Sequence, residues 1–217
     1  MQAEALVIQL RRPVLGSLNP LHVPSVDECG HEPRCETVMA DLTLPDAMTL
    51  RAPLRSVVGD AEFRAAMSAV SSTVYVVTAR RGDERIGRTV TSIMSLAAEP
   101  PTLLVSIDLM SRLAELIVQT GGFSVAALAD DQEAIGDAFA GRVQASERFD
   151  LGEWSAWPSG HPMLLGAASA LDCEVVGSIE TGTHVLFAGA IVNAETTTSR
   201  TPLLWQRHGY HRLAAGS

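Results

Sequence analysis

Residues 87–107 read GRTVTSIMSLAAEPPTLLVSI. Valine, isoleucine and threonine are frequent on both sides of Glu99-Pro100-Pro101, so the stretch reads as two β-strands joined by a turn. The first strand carries Thr89, Thr91, Ser92 and Ser95. Along an extended strand Thr89, Thr91, Ile93 and Ser95 share one face, and Val90, Ser92 and Met94 share the other. A strand this polar needs partners for its hydroxyls. A bound phosphate or a polar ring edge is one candidate, and solvent at a sheet edge is the other. Composition alone favours the solvated edge.

Outward from this hairpin the pattern is regular. Asp60 is placed to cap a helix whose apolar residues Phe63, Met67 and Val70 recur at helical spacing. A strand over Thr73–Thr78 and a charged turn at Arg80–Asp83 lead into the quoted stretch. Beyond it, Leu113, Leu116 and Ile117 mark one face of a helix over Ser111–Thr120, which Gly121-Gly122 ends. A strand over Phe123–Leu128 and a helix capped by Asp130 or Asp131 and running to Phe139 come next. A tryptophan-bearing loop, Phe149–Pro162, leads to two long strands, Ala168–Ile179 and His184–Ala194, joined by a hairpin-like Glu180-Thr181-Gly182-Thr183. A last strand is expected near Leu203–Trp205. Many strands with few short helices and no regular β–α alternation predict a mainly β fold, an antiparallel barrel.

Residues 1–58 differ. All ten aromatic residues lie at or beyond Phe63, and six of the eleven prolines precede residue 54. A segment of that kind does not easily nucleate a core. Residues 1–58 are therefore expected to form an extension, docked through Leu6, Val7, Ile8 and Leu10 on the main domain or on a second subunit, and residues 59–217 the domain proper. His22, Cys29, His31 and Cys35 fit no common zinc spacing, so no metal is expected.

The net charge is −9, and every one of the 16 basic residues is arginine. No basic stripe is available for nucleic acid. Lysine-dependent chemistry, such as a Walker A loop or a Schiff base, is excluded. No apolar run approaches the ~18 residues of a membrane span. Three cysteines, Cys29, Cys35 and Cys173, make an odd, low count that points to a reducing, cytoplasmic setting. No two glycines stand in the spacing of G-x-G-x-x-G or of G-x-S-x-G, which removes the Rossmann and nucleophile-elbow readings.

The chemistry-bearing candidates are individually weak. His184, at a hairpin corner, reads as a nucleotide contact or a surface histidine. Arg207 and Tyr210 could pair with a phosphate and stack on a ring, or simply form an exposed terminus. Phe139-Ala140-Gly141-Arg142 permits close ligand approach, or is a helix end.

Their order is more specific than any one of them. From about Phe63 to Leu213 the chain resembles the short-chain flavin reductases, the reductase components of two-component flavin-dependent monooxygenases. The likeness rests on FRAAMSAVSSTVYVVTA, the G-x-T-x-[TNS]-S pattern of the quoted stretch, FSVAALADDQEAIGDAFAG, HPMLLGAASALDCEV, GTHVLFAGAIV and PLLWQRHGYHRL. The resemblance implies an FMN-binding split β-barrel of Greek-key type, assembled as a homodimer. It implies FMN or FAD against Thr89, Val90, Thr91, Ser92, Ser95, Leu96, Ser106, Ile107 and Asp108. Ser111 and Arg112 would hold the flavin phosphate, with Phe139 and Gly141 near the cofactor. His184, Arg207 and Tyr210 would take NADH or NADPH, with His184 the possible catalytic contributor. The activity implied is hydride transfer from reduced nicotinamide to flavin, for delivery to a monooxygenase. One departure stands out: the family's G-D-H reads Gly182-Thr183-His184. It motivates an alternative, a flavin-binding protein without reductase activity. A pyridoxamine-phosphate oxidase, which shares the barrel, is weakened by the missing lysines.

Overall fold

The computed structural model describes residues 53–213. Expectations for the extension up to residue 52, including the His22/Cys29/His31/Cys35 cluster, lie outside the described residues.

Helix α1 (Asp60–Ser68) leads into β1 (Ser72–Thr73) and β2 (Tyr75–Arg81). Then come β3 (Glu84–Val90), β4 (Ile93–Ala98), β5 (Pro101–Asp108), helix α2 (Arg112–Thr120) and β6 (Gly122–Ala127). A short α3 (Glu133–Asp137) is followed by β7 (Trp154–Ala156) and β8 (Pro162–Leu164). The long hairpin β9 (Ser169–Glu180) and β10 (His184–Thr196) precedes β11 (Leu204–Gln206) and β12 (Gly209–His211). The main sheet has seven strands in the order β3-β2-β6-β9-β10-β5-β4, with every neighbouring pair antiparallel. β1, β11 and β12 form a small separate sheet. No helix among the described residues is long and apolar enough to cross a membrane.

Strand β2 shows why the sequence has no one-faced alternation here: both its faces are covered. Val77 and Ala79 belong to a core that packs α2 through Leu113, Leu116 and Ile117 against Val105, Phe123 and Phe187. Val74 and Val76 belong to a second core with Leu128, Phe139, Leu164 and Leu203. Each fully buried side chain of this size contributes roughly 1.5–3 kcal/mol. Helix α2 is well bounded: Ser111 Oγ accepts from the Ala114 N–H at 3.2 Å, and Gly121 (φ 69°) returns its N–H to the Ile117 carbonyl at 2.9 Å. Gly189 of β10 is required by the first core, since a Cβ there would stand 2.5 Å from Phe123 Cζ.

Four expectations are corrected. The hydroxyl-rich segment is not one strand: β3 stops at Val90 and β4 starts at Ile93, so Thr91 and Ser92 form a corner and the shared-face arrangement breaks there. Asp60 is the first residue of α1 and not its cap; Gly59 takes that position, while the Asp60 carboxylate accepts from Arg64 Nε at 2.8 Å. The helix is shorter than its apolar spacing implies: α1 ends at Ser68, so Val70 lies beyond it, and Phe63, Met67 and Val70 are each about half exposed. Neither Asp130 nor Asp131 caps α3; Asp130 accepts from the Thr201 hydroxyl at 2.8 Å and Asp131 pairs with Arg200. Both carboxylates are claimed by a segment some seventy residues downstream, a competition that local spacing does not reveal.

His161, in the turn before β8, is 4% exposed, and its Nδ1 accepts the Arg80 N–H at 3.2 Å. Burial lowers its pKa below the ordinary 6.5, with the Asp172 carboxylate opposing the shift. The folded form therefore prefers the neutral ring, and its contribution is complete above about pH 6.5. That contribution is lost as pH falls from 6.5 toward the lower folded value. Urea unfolding at pH 8 and pH 5 should show a stability loss on acidification that is smaller in His161→Asn. An equal loss in both proteins would remove His161 as the cause.

Candidate active site

A cavity of about 510 Å³ opens where the β3–β4 corner meets the ends of β5 and β10. Arg88, Thr89, Val90, Thr91 and Ser92 form one wall. Ser106, Ile107 and Asp108 of β5, the α2 cap Ser111 and His184 of β10 form the next. Asp137, Ala140 and Arg142, from α3 and the turn after it, face in together with Val74, Trp205 and Tyr210. Six separate stretches of sequence thus meet, two of them because β10 pairs with β5 in a register that sets His184 opposite Asp108.

Two of the four hydroxyls read onto the first strand of the quoted stretch, and the nearby Ser111, have partners that composition did not suggest. Thr89 donates to the Gly136 carbonyl at 2.6 Å, tying β3 to α3. Ser92 donates to the Ser106 carbonyl at 3.3 Å. Ser111 donates to the Asp108 carbonyl at 2.7 Å while capping α2. These protons are committed to the protein's own backbone, so toward a ligand these hydroxyls can only accept. Donors come from the corner instead. Thr91 and Ser92 lie outside the strands, and neither backbone N–H has a partner among the described residues. Two adjacent free N–H groups at a cavity wall suit an electron-rich ring edge or an oxyanion.

The opposite wall is a small network. The Tyr210 hydroxyl donates to Asp137 at 2.8 Å, and Arg142 stands 3.3 Å from the same carboxylate. Burial and that carboxylate push the Tyr210 pKa well above its ordinary value, so the phenol stays protonated and holds the bond. The Trp205 ring meets Tyr210 edge-on, centroids 4.9 Å apart, giving the cavity an aromatic border.

His184 lies at the rim. Its Nδ1 is 2.9 Å from Thr183 Oγ1, so the hydroxyl standing in place of the family's aspartate still meets the imidazole. The hairpin is braced by Thr181, whose N–H and hydroxyl both donate to the His184 carbonyl, at 2.8 and 3.0 Å.

The cavity brings together Thr89, Val90, Thr91, Ser92, Ser106, Ile107, Asp108, Ser111, His184 and Tyr210. Others lie apart from its lining. Ser95 and Leu96 are exposed on β4. Phe139 is wholly buried, with its ring beneath Gly87. Gly141 (φ 102°) turns the chain after α3. Arg207 sits in the β11–β12 turn, where its N–H donates to the Ser68 carbonyl at 2.7 Å. Arg112 is clamped: Nε and Nη2 bind Glu84 at 2.8 and 2.6 Å, and Nη1 binds Glu115 at 2.6 Å. That pairing lowers the Glu84 pKa. Arg142, flanking the small-residue turn singled out in the sequence, is in the lining, while sequence reasoning missed Arg88, Asp137 and Trp205. All three lay within quoted stretches, but only the fold shows that they face a common space.

Comparison with known proteins identifies the family of the chain. The flavin reductase like domain family matches residues 67–214. The reductase component of an FADH(2)-dependent resorcinol hydroxylase from Rhizobium sp. (strain MTP-10005) is 39% identical over 150 residues, 68% of this chain and 84% of that one. An FMN reductase (NADH), RutF, from Ancylobacter novellus is 33% identical over 153 residues, 70% of this chain and 84% of the other. Among solved structures, the NADH:FAD oxidoreductase SgcE6 of Streptomyces globisporus C-1027 superposes with a TM-score of 0.68 at 26% identity, covering 75% of this chain and all of that one. The mainly antiparallel architecture is the split barrel of these reductases. The chain therefore belongs to the flavin reductase like domain family.

Proposed function

We propose that this protein is an NAD(P)H:flavin oxidoreductase that reduces FMN or FAD and passes the reduced flavin to a monooxygenase. The observation that carries the reading is the cavity wall at Thr91–Ser92, with two free N–H groups, within a chain of this family. When bound, the flavin accepts hydride at its ring and supplies the redox chemistry. The protein's own share is positional. The corner N–H groups meet the electron-rich ring edge, Trp205 and Tyr210 border the slot, and His184 at the rim contacts the nicotinamide nucleotide. The monooxygenase partner is supported by the resorcinol hydroxylase reductase component among the relatives. NADH as donor is supported by the names of the other two proteins compared above.

Residues 59–217 are proposed as the reductase domain and 1–58 as an extension, supported by the family match over 67–214. A homodimer is supported by apolar side chains left open, Phe63 and Met67 on α1, Val70 just after it, and Met94 and Leu96 on β4. A cytoplasmic location is supported by the sparse cysteines and the nucleotide cosubstrate.

Purified protein mixed with NADH or NADPH should show nicotinamide oxidation that depends on added FMN or FAD. No turnover with any pairing would sink the reading. Flavin binding without turnover would instead favour the non-catalytic flavin-binding alternative, which the Thr183 substitution motivates. His184→Ala should raise the nicotinamide KM roughly tenfold, the worth of one good hydrogen bond, with flavin affinity nearly intact. An unchanged KM would remove His184 from the site.

A further inference from the structure

The arginines near the cavity are not equivalent. Arg112, beside the α2 cap, is held by two carboxylates, one of them bidentately. Recruiting it to an anionic ligand would break the Glu84 pair and leave two carboxylates facing the incoming negative charge. Arg142 lines the cavity, but Asp137 at 3.3 Å already meets its charge. Arg85, earlier on β3 and outside the cavity lining, packs over the Phe149 ring, 4.5 Å from its centroid. Arg88 differs from all of these. It lines the cavity, is exposed, and has no ion-pair or hydrogen-bond partner among the described residues. It follows β3 into the corner that carries the free Thr91 and Ser92 N–H groups. Asp108, on the neighbouring β5 wall, turns one oxygen to the Met110 N–H at 2.8 Å. In a chain of net charge −9, an uncommitted guanidinium facing a nucleotide-sized cavity is the natural seat for a phosphate.

We propose that Arg88, and not Arg112, binds the phosphate monoester of the bound nucleotide. The inference rests on the nucleotide-binding reading above. Two phosphates share this chemistry, the ribityl phosphate of FMN and the 2′-phosphate of NADPH. Pairs of ligands that differ only in that group separate them.

Dissociation constants for FMN and riboflavin, read by flavin fluorescence on the full chain, address the first phosphate. KM values for NADPH and NADH at saturating flavin address the second. Arg88→Gln is expected to weaken FMN roughly tenfold to a hundredfold while leaving riboflavin unchanged, the range of a charge-assisted contact. Collapse of the NADPH/NADH ratio instead would assign the same guanidinium to the 2′-phosphate. Arg88→Lys should recover part of the loss, and Arg112→Gln should leave both ratios alone. Both ratios unchanged in Arg88→Gln, or a ratio that collapses in Arg112→Gln alone, would overturn the assignment. A wild-type chain that binds neither riboflavin nor FMN would overturn the functional reading as well, a distinct result.

Discussion

Phe139→Ala is expected to cost about 3–5 kcal/mol of folding stability, the range for emptying a buried aromatic site. The ring is fully buried and wedged between two others. Phe149 meets it edge-on with centroids 5.0 Å apart, and Trp154 lies at 5.5 Å. Those two rings also touch each other, at 5.0 Å, so the site cannot collapse by moving one neighbour. For a domain of this length the loss corresponds to a fall in Tm of roughly 10 °C. Calorimetry of the variant checks it, and a fall of only one or two degrees would mean that the ring is not the keystone of this core. The same residue stands near the cofactor by family resemblance. With no exposed surface it cannot touch a ligand directly, so Phe139→Leu, folded, should still bind flavin. Abolished binding in a stable Phe139→Leu would show that the ring reaches the cavity.

Gly87→Ala is the second large effect. A Cβ on Gly87 would lie 2.5 Å from Phe139 Cε1, 2.7 Å from Cδ1 and 3.0 Å from Thr78 Cγ2. The ring is confined from behind by Phe149 and Trp154, so the strand must yield instead. Overpacking of this kind costs about 1–3 kcal/mol. Displacement of β3 also disturbs Thr89, two residues on and on the same face, whose 2.6 Å bond to Gly136 holds the cavity wall. Stability and flavin affinity should therefore fall together. The double variant Gly87→Ala/Phe139→Leu should lose less than the sum of the singles, because the smaller side chain makes room for the methyl. Strict additivity in denaturant titrations would show that the two sites do not share this contact.

Much of this was legible from local pattern. Leu113, Leu116 and Ile117 at helical spacing, with glycine at the end, mark α2 because they are at once the buried face and the stop. The β9–β10 hairpin is legible because long β-branched runs flank a Gly-containing turn. The corner at Thr91–Ser92 is not. Threonine and serine carry no punctuation there, so nothing local separates a bend from a continuous strand. The stripe of α1 shows the opposite limit: periodicity reports an amphipathic helix but not what covers it. For the site, resemblance gathers most of the wall, yet it gives Arg112 a ligand role without showing Glu84 and Glu115 beside it. Arg88 was invisible for a related reason. An exposed arginine becomes informative only when its neighbours' charges are known to be matched.

The inward commitment of the Thr89, Ser92 and Ser111 protons has an evolutionary consequence. A wall whose donors are main-chain amides is insensitive to side-chain drift, since any residue able to turn the corner at 91–92 presents the same two N–H groups. Threonine, serine and asparagine can interchange there while the two main-chain donors stay the same. Discrimination among ligands that use those donors would then fall to peripheral side chains, which are free to diverge from one pathway to the next.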